Sequence, residues 1–223
     1  MKNIFKFIPL AALAIMASCG LDNYDEPEST LLGQVVYNGE PVQVRGTGEA
    51  VRLYLYQDGY ELHDPITVYV GQDGSFTAKL FDGEYKMTTI SGNGPWENST
   101  DTTVIKLKGS TSVTLNVTPF FTISGANISI SGNTLNASLT INQVVSSATL
   151  EKVYLILSKT QFVDEVNNIF RADITDVKVG SNTLSADLSG SSDVANAKYI
   201  FGRIGVKTSG REQAIWSSVV QLK

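Results

Sequence analysis

Residues 51–56, Val-Arg-Leu-Tyr-Leu-Tyr, alternate aliphatic side chains with charged or aromatic ones. Successive side chains of a strand point to opposite faces, so a period of two indicates a β-strand with one buried face. No helical period persists beyond residue 30, whereas the same alternation recurs in segments 66–70, 76–80, 113–117 and 135–141. Each of these runs has one side to bury, and the chain is therefore predicted to be all-β.

Turn-forming pairs separate these runs at the spacing expected of β-sandwiches. An Asn or Asp followed by Gly supplies the positive φ angles that tight connections between strands require. Such pairs stand at Asn38-Gly39, Asp58-Gly59, Asp73-Gly74 and Asp82-Gly83. They predict tight turns between neighbouring strands of the first half of the chain.

A domain boundary is predicted near Thr118-Pro119, where a strand ends and proline removes a backbone donor. The alternating pattern then restarts, and the apolar run 153–157 suggests a strand buried on both faces. Segments 199–206 and 215–222 predict a final hairpin, while 159–170 is read as either a short helix or a long loop. The prediction is two consecutive antiparallel β-sandwich domains, residues 30–118 and 119–223.

The N-terminus predicts export and lipidation. Lys2 and Lys6 precede an apolar segment, 7–16, that is too short to span a bilayer as a helix and is typical of a signal peptide, residues 1–18. Met16-Ala17-Ser18-Cys19 resembles the bacterial lipobox, in which the cysteine becomes the lipidated first residue. The alternative is a buried cysteine inside a helix. Lipidation of Cys19 would make a membrane the first partner of the mature chain.

Residues 19–29 are polar and acidic, and they are predicted to form a flexible tether because they contain too few apolar side chains to bury. The segment is similar to the acidic signal that directs Bacteroidetes lipoproteins to the cell surface. The predicted location is therefore the outer membrane, with the body of the protein held there by lipid and exposed at the surface.

Composition excludes several functions. The chain has 17 basic and 22 acidic residues, a formal charge of −5. Nucleic acid binding requires clustered cations, so a nucleic acid partner is not expected. With a single cysteine and a single histidine, His63, the sequence contains neither a disulfide pair nor a zinc cluster, and Asp164-Glu165 lacks the spacing of a calcium loop. No metal and no cofactor are expected.

The sequence also lacks the residues that usually carry out catalysis. His63 lies in a turn ending at Asp64-Pro65, and no nucleophile motif accompanies it. A pair of carboxylates for glycoside hydrolysis is an alternative that sequence spacing cannot test. The sequence therefore favours a protein that is not an enzyme.

Several short segments of the first half are similar to those of a known sandwich type: 32–36, 39–42, 51–54, 73–76 and 83–85. They resemble the transthyretin-like, carboxypeptidase-regulatory type, and the second half resembles immunoglobulin or fibronectin type III sandwiches. With segments 94–96, 101–102, 117–121 and 201–208 added, the chain resembles the two-domain DUF3823 lipoproteins of Bacteroidetes. It implies a place beside outer-membrane glycan-uptake systems, with SusC/SusD-like proteins as partners, and it implies no particular activity.

The loop 91–98 is the first candidate binding site. Exposed aromatic rings stack on the apolar faces of sugars, while carboxylates and amides bind the hydroxyls. Trp96 would supply the ring, and Glu97, Asn93 and Asn98 the polar partners. The alternative is that Trp96 caps the first sandwich or the seam between the domains.

A second candidate is a stacking platform of Tyr54, Tyr56 and Tyr69, provided that the second domain does not cover their sheet face. Trp216 is assigned to the core. Asp101-Thr102 is similar to the short motif at which Bacteroidetes attach O-linked glycans, which makes Thr102 a candidate glycosylation site.

These patterns favour an outer-membrane lipoprotein that binds glycans as an accessory component of an uptake system. The alternative from another class is a structural or protein-docking lipoprotein without a glycan ligand. A glycoside-active enzyme is a third alternative, for which the sequence supplies no evident base.

Overall fold

The computed structural model describes residues 25–59 and 63–223. Cys19 and the predicted signal peptide lie outside the described residues, so lipidation stays a prediction. None of the helices in the described part of the chain is long and apolar enough to cross a membrane.

The first sandwich contains eight of the described strands. They are β1 (Ser29–Tyr37), β2 (Glu40–Pro41), β3 (Arg52–Gln57), β4 (Ile66–Tyr69), β5 (Ser75–Leu80), β6 (Gly83–Thr89), β7 (Thr103–Leu107) and β8 (Ser110–Asn116). One sheet has β1 at its centre, paired with β2, β5 and β8, and the other has the order β4-β3-β6-β7. The inward residues Leu53 and Leu55 are fully buried, as the alternation of segment 51–56 predicts.

One strand pair departs from the antiparallel expectation. β1 and β8 run parallel, in register from Thr30 opposite Ser110 to Val36 opposite Asn116. Parallel neighbours need a crossover instead of a hairpin. Here the connection passes through the second sheet, and no local turn signal in the sequence reports such a pairing.

The predicted turns differ in their roles. Asn38 and Gly39, with φ of 52° and 84°, form the two-residue turn between β1 and β2. By contrast, Gly83 begins β6 and does not have a positive φ angle. No tight turn is needed there, because β5 and β6 belong to different sheets. The pair Asp82-Gly83 therefore joins the two sheets and does not close a hairpin.

The second sandwich also has two sheets, so the all-β, two-sandwich prediction is confirmed. One contains β9 (Phe121–Ser131), β10 (Thr134–Gln143) and β13 (Gly180–Asp187); the other contains β11 (Leu150–Ser158), β12 (Phe170–Ile174), β14 (Phe201–Thr208), β15 (Ile215–Trp216) and β16 (Val220–Gln221). β11 lies between β12 and β14, and its residues 153–157 are buried, as predicted. The predicted final hairpin is formed by β14 with β15 and β16.

Of the two readings for segment 159–170, the loop is correct. Asp164 Oδ1 accepts hydrogen bonds from the backbone N–H groups of Val166 (3.0 Å) and Asn167 (2.9 Å), a side-chain turn that competes with a helix. A short helix, α1 (Ser192–Asn196), instead follows β13, with Ser191 Oγ accepting from the Val194 N–H as its N-cap.

The two sandwiches share a continuous hydrophobic core, which passes through Trp96, Phe120 and Phe121. Arg203 on β14 is completely buried at the junction. Its guanidinium donates hydrogen bonds to the carbonyl oxygens of Ser217 (2.8 Å), Val44 (3.0 Å) and Gln72 (2.7 Å). Burial lowers the pKa of Arg203 to about 10, so the side chain still carries its charge at neutral pH. These bonds hold the sandwiches in one relative orientation.

Candidate functional site

The loop between β6 and β7 places Trp96 in the core. The side chain is 2% exposed, and its backbone forms a bridge with Pro119 of the interdomain linker. The Glu97 N–H donates to the Thr118 carbonyl at 2.9 Å, and the Phe120 N–H donates to the Pro95 carbonyl at 3.1 Å. The expectation of an exposed ring at Trp96 is wrong, because the linker pairs with this loop; the alternative position at the seam is correct.

The polar residues of that loop are used internally. Gly94 lets the Trp96 ring pack on the backbone, since a Cβ there would lie 2.1 Å from the ring. Asn93 is 7% exposed and clamps the start of β3, accepting from the Arg52 N–H at 2.6 Å and donating to the Ala50 carbonyl at 2.8 Å. Asn98 is exposed, and its Oδ1 accepts from the Gly92 N–H at 2.7 Å, while Glu97 is exposed beside it. The four side chains do not form a common site.

The tyrosines of the second candidate, the stacking platform, lie on one surface. Arg52 pairs with Tyr69 across β3 and β4, so the side chains of Tyr54, Tyr56 and Tyr69 share the outer face of the sheet β4-β3-β6-β7. We call this surface, with these three tyrosines, the tyrosine face. The rings of Tyr54 and Tyr56 are 6.2 Å apart at an interplanar angle of 81°. Tyr69 is 44% exposed and Val104 on the same face is 54% exposed, while Tyr54 and Tyr56 are half-buried against their neighbours, so the face is uncovered at its edges and partly exposed at its centre.

Polar groups border the tyrosines. Thr88 lies opposite Tyr54, and Lys86 lies opposite Tyr56. Lys86 Nζ is 2.6 Å from the Asp58 carboxylate, and this hydrogen bond raises the pKa of the lysine. Stacking rings with hydroxyl, ammonium and carboxylate groups beside them are the combination that recognises sugars.

A polar pocket of about 290 Å³ adjoins the tyrosine face where the sandwiches meet. We call it the junction pocket; its lining includes Arg45, Glu49, Arg52, Tyr69, Glu212 and Gln213. The first four come from the first sandwich, and the last two come from the loop between β14 and β15. Sequence reasoning missed it because its residues lie far apart along the chain, and no single segment carries a signal for it.

The backbone at Glu49 is unusual. Gly48 and Glu49 both adopt positive φ, 66° and 53°. Positive φ is uncommon for a residue with a side chain and is found more often at functional sites. A hydrogen bond with Glu49, together with its negative charge, raises the pKa of Tyr69, because the phenolate would be repelled there. The turn thus brings a carboxylate to the edge of the tyrosine face.

A cleft of about 560 Å³ also lies between the sandwiches, lined by Tyr37, Pro41, Thr122, Ser124 and Trp216 among others. Among the described residues that line it, Glu40 is the only charged one. The Trp216 ring is 3% exposed and stacks on Tyr154 with 5.8 Å between centroids, in agreement with its assignment to the core. The cleft therefore offers hydroxyl and amide groups but lacks the open stacking surface of the tyrosine face.

The remaining candidates are separate from these surfaces. Asp101 and Thr102 are exposed just before β7, and glycosylation of Thr102 stays a prediction. His63 is exposed in the loop before β4. Within the described part of the chain, no three His, Cys, Asp or Glu side chains group closely enough to hold a metal ion. The expected absence of a metal and a cofactor remains a prediction.

Comparison with known proteins gives the family. Residues 29–118 match the model described as "Protein of unknown function (DUF3823) N-terminal domain", and residues 121–221 match "Domain of unknown function (DUF3823_C)". Neither description names a catalytic activity. No curated protein matches the chain.

Three solved structures from Bacteroidetes share the fold over nearly the whole body. A DUF3823 family protein from Parabacteroides merdae is 54% identical, with a TM-score of 0.87, covering 89% of this chain and 100% of its own. A DUF3823 family protein from Bacteroides ovatus is 33% identical, with a TM-score of 0.79 and coverages of 87% and 98%. A Bacteroides uniformis protein put forward as a carbohydrate binding protein is 17% identical, with a TM-score of 0.73 and coverages of 88% and 99%. The chain therefore belongs to the DUF3823 family.

Proposed function

We propose that this protein is a non-catalytic, outer-membrane lipoprotein that binds glycans as an accessory component of a SusC/SusD-type polysaccharide uptake system. The observation that carries the proposal is the tyrosine face. It presents Tyr54, Tyr56 and Tyr69 together on one outer sheet surface, with Tyr69 exposed and Tyr54 and Tyr56 partly exposed.

A sheet suits this function because its strands hold the rings in fixed positions. Tyrosine has few rotatable bonds, so a ring fixed on a strand loses little freedom when a ligand stacks on it. The hydroxyls of a bound sugar would meet Thr88 and Lys86 beside the rings. A flat, open surface of this kind fits an extended chain better than a small compact metabolite.

The comparisons support carbohydrate as the ligand class only at the level of the fold. The Bacteroides uniformis protein put forward as carbohydrate binding has the same two-domain architecture, at 17% identity. This likeness favours the proposal over a purely structural lipoprotein, and it does not identify a sugar.

The chain enters the first sandwich at the end that lies opposite the linker to the second sandwich. Ser29 begins β1 beside Leu80, at the end opposite Val36, where β8 leads into the linker. Seven residues of strand span roughly 23 Å. The tether would add up to about 35 Å if residues 19–28 were extended. Lipid on Cys19 would therefore be joined to the end of the first sandwich that lies opposite the linker, with enough reach for the second sandwich and the junction pocket to stand clear of the membrane.

The test is a glycan array followed by calorimetric titration of the purified mature chain with the oligosaccharide that binds best. We expect Tyr54→Ala and Tyr56→Ala each to weaken binding by about tenfold, which corresponds to roughly 1.4 kcal/mol. Tyr199→Ala is the matched control, because Tyr199 is 49% exposed in the second sandwich. It should bind like the unmodified chain.

The alternatives predict other results. If no host or plant polysaccharide in the array binds, the glycan proposal is wrong and a structural or docking lipoprotein is favoured. If the unmodified chain releases new reducing ends from a bound polysaccharide, the non-catalytic part of the proposal is wrong.

A further inference from the structure

We infer that the junction pocket binds the terminal glycosyl unit of a neutral glycan, whose following units lie along Tyr54 and Tyr56. This inference rests on the proposed function. It adds that the glycan is bound at its chain end, that the ligand is neutral and that the second sandwich takes part in binding. No pattern in the sequence indicated the pocket.

The position of the pocket supports recognition of a chain end. Arg52 lines the pocket and begins β3, and Tyr56 stands four residues further along the same strand, roughly 13 Å away. Tyr69 belongs both to the tyrosine face and to the pocket. At the other side, Glu212 and Gln213 of the second sandwich complete the lining. A glycan that follows β3 from Tyr56 to Arg52 meets the second sandwich and ends there.

The size of the pocket agrees with one glycosyl unit. Its volume of about 290 Å³ is at the lower limit of common small-molecule pockets, which begin near roughly 300 Å³. The adjoining face is open and continues past Tyr54 and Tyr56. One ring would lie in the pocket, and the following rings would be held by stacking.

Gln213 carries an unused acceptor at this place. Its side chain is 1% exposed, and its Oε1 atom has no hydrogen-bond partner within residues 25–59 and 63–223. Buried polar atoms are nearly always paired with protein, water or ligand. Because Gln213 lines the pocket, a sugar hydroxyl that reached this buried oxygen after a small side-chain shift would satisfy it.

The charges of the lining favour a neutral ligand. Two arginines and two glutamates line the pocket, so their formal charges cancel. Arg45 also lies 3.6 Å from Glu165, which supplies a further carboxylate next to the pocket. A uronate would bring its negative charge to a place where three carboxylates stand against two guanidinium groups. A neutral sugar instead offers hydroxyls that accept from guanidinium groups and donate to carboxylates.

The pocket exists only while the two sandwiches keep their orientation. Thr47 Oγ1 donates to Asp164 Oδ2 at 2.7 Å, which ties the turn containing Glu49 to the second sandwich. The buried Arg203 adds its bonds to Val44 and Gln72. The orientation of the domains therefore serves to build a binding site from both.

The test compares variants of the mature chain by calorimetric titration and thermal melting. The probes are neutral gluco-, manno- and xylo-oligosaccharides of three to six units, with oligogalacturonides as the acidic comparison. Glu212→Gln and Arg52→Met remove exposed pocket side chains, and Gln213→Leu removes the buried amide. Gln221→Leu, at an exposed position in β16, is the matched control.

We expect Glu212→Gln, Arg52→Met and Gln213→Leu each to weaken binding of the best neutral probe by five- to twentyfold, while Gln221→Leu leaves it unchanged. If Gln213→Leu does not fold, the two exposed variants decide. The inference is overturned, and the proposed function stands, if Tyr54→Ala and Tyr56→Ala lose affinity while the exposed pocket variants bind normally. Tighter binding of oligogalacturonides than of neutral probes would overturn the ligand class. If the unmodified chain binds none of the probes, the inference fails together with the proposed function.

Discussion

Arg203 on a strand of the second sandwich donates a 2.7 Å hydrogen bond to the carbonyl oxygen of Gln72 in the first. The same guanidinium bonds Val44 across the junction and Ser217 within its own sandwich. Its acceptors are chiefly backbone carbonyls, which stay in place when a side chain is replaced. One buried cation therefore supplies hydrogen-bond donors to several buried carbonyl groups at the junction.

Replacing Arg203 should destabilise the whole chain. Arg203→Met keeps an unbranched side chain but leaves the Val44 and Ser217 carbonyls without their guanidinium donor, while the Gln72 carbonyl still accepts from the Val44 N–H at 3.2 Å. One unsatisfied buried group costs about 1–3 kcal/mol. We expect a clearly lower melting temperature in calorimetry. Lys178→Met, at an exposed position, serves as the control. An unchanged melting temperature for Arg203→Met would show that the junction is held by other contacts.

Trp96→Ala should act on stability. Loss of a buried aromatic side chain costs about 3–5 kcal/mol, which for a chain of this length lowers the melting temperature on the order of 10 °C. Circular dichroism melts measure the effect. A variant that melts like the unmodified chain but no longer binds glycan would restore Trp96 as a binding residue and contradict its buried position.

The charged cluster on the neighbouring strands β11 and β12 predicts a pH dependence of stability. Arg171 donates to Asp173 through Nε (2.6 Å) and Nη2 (2.8 Å), and Lys152 lies 3.2 Å from the same carboxylate. The hydrogen bond from Arg171 contributes most to lowering the pKa of Asp173. A carboxyl with a lowered pKa stabilises the folded state above its unfolded pKa, and this contribution is lost as the pH falls through the folded value.

Asp173→Asn should therefore lower stability at neutral pH and make little difference in strong acid. Because the cluster is partly exposed, we expect about 0.2–1 kcal/mol at pH 7. Denaturant titrations of both proteins at a series of pH values measure it. A difference that persists unchanged through acid pH would show that the asparagine acts through packing and not through the lost charge.

Cys19→Ala should release the protein from membranes. A lipidated cysteine carries more than one acyl chain, which stable anchoring requires. Palmitate labelling and membrane fractionation of expressing cells measure the anchor. Continued labelling and sedimentation of the alanine variant would contradict lipidation at this residue.

The sequence predicted much of the fold because period-two alternation is a local signal. Segment 51–56 corresponds to β3 with Leu53 and Leu55 inward, and the register of β3 with β4 then put Tyr54 and Tyr69 on one outer face. The sequence left open whether that face was covered, since coverage depends on how the second sandwich is placed. The exposed fractions of Tyr69 and Val104 show that the second sandwich leaves the edges of this face uncovered.

The errors arose where contacts join distant segments. Gly, Asn and Pro around Trp96 correctly indicated a loop, but no local pattern shows that residues 118–120 pair with it. The junction pocket was missed for the same reason, as Arg52 and Gln213 are brought together only by the orientation of two sandwiches. Local composition predicts which residues form a loop; it does not predict what covers that loop.

The measurement that tests the central claim most directly is calorimetric titration of the mature chain and its Tyr54→Ala variant with the best oligosaccharide from a glycan array. The account predicts saturable binding by the unmodified chain, an approximately tenfold weaker affinity for Tyr54→Ala, and a cooperative thermal melt that shows both proteins to be folded at the titration temperature. Equal affinities of the two proteins, or no binding of any glycan by the unmodified chain, would contradict it.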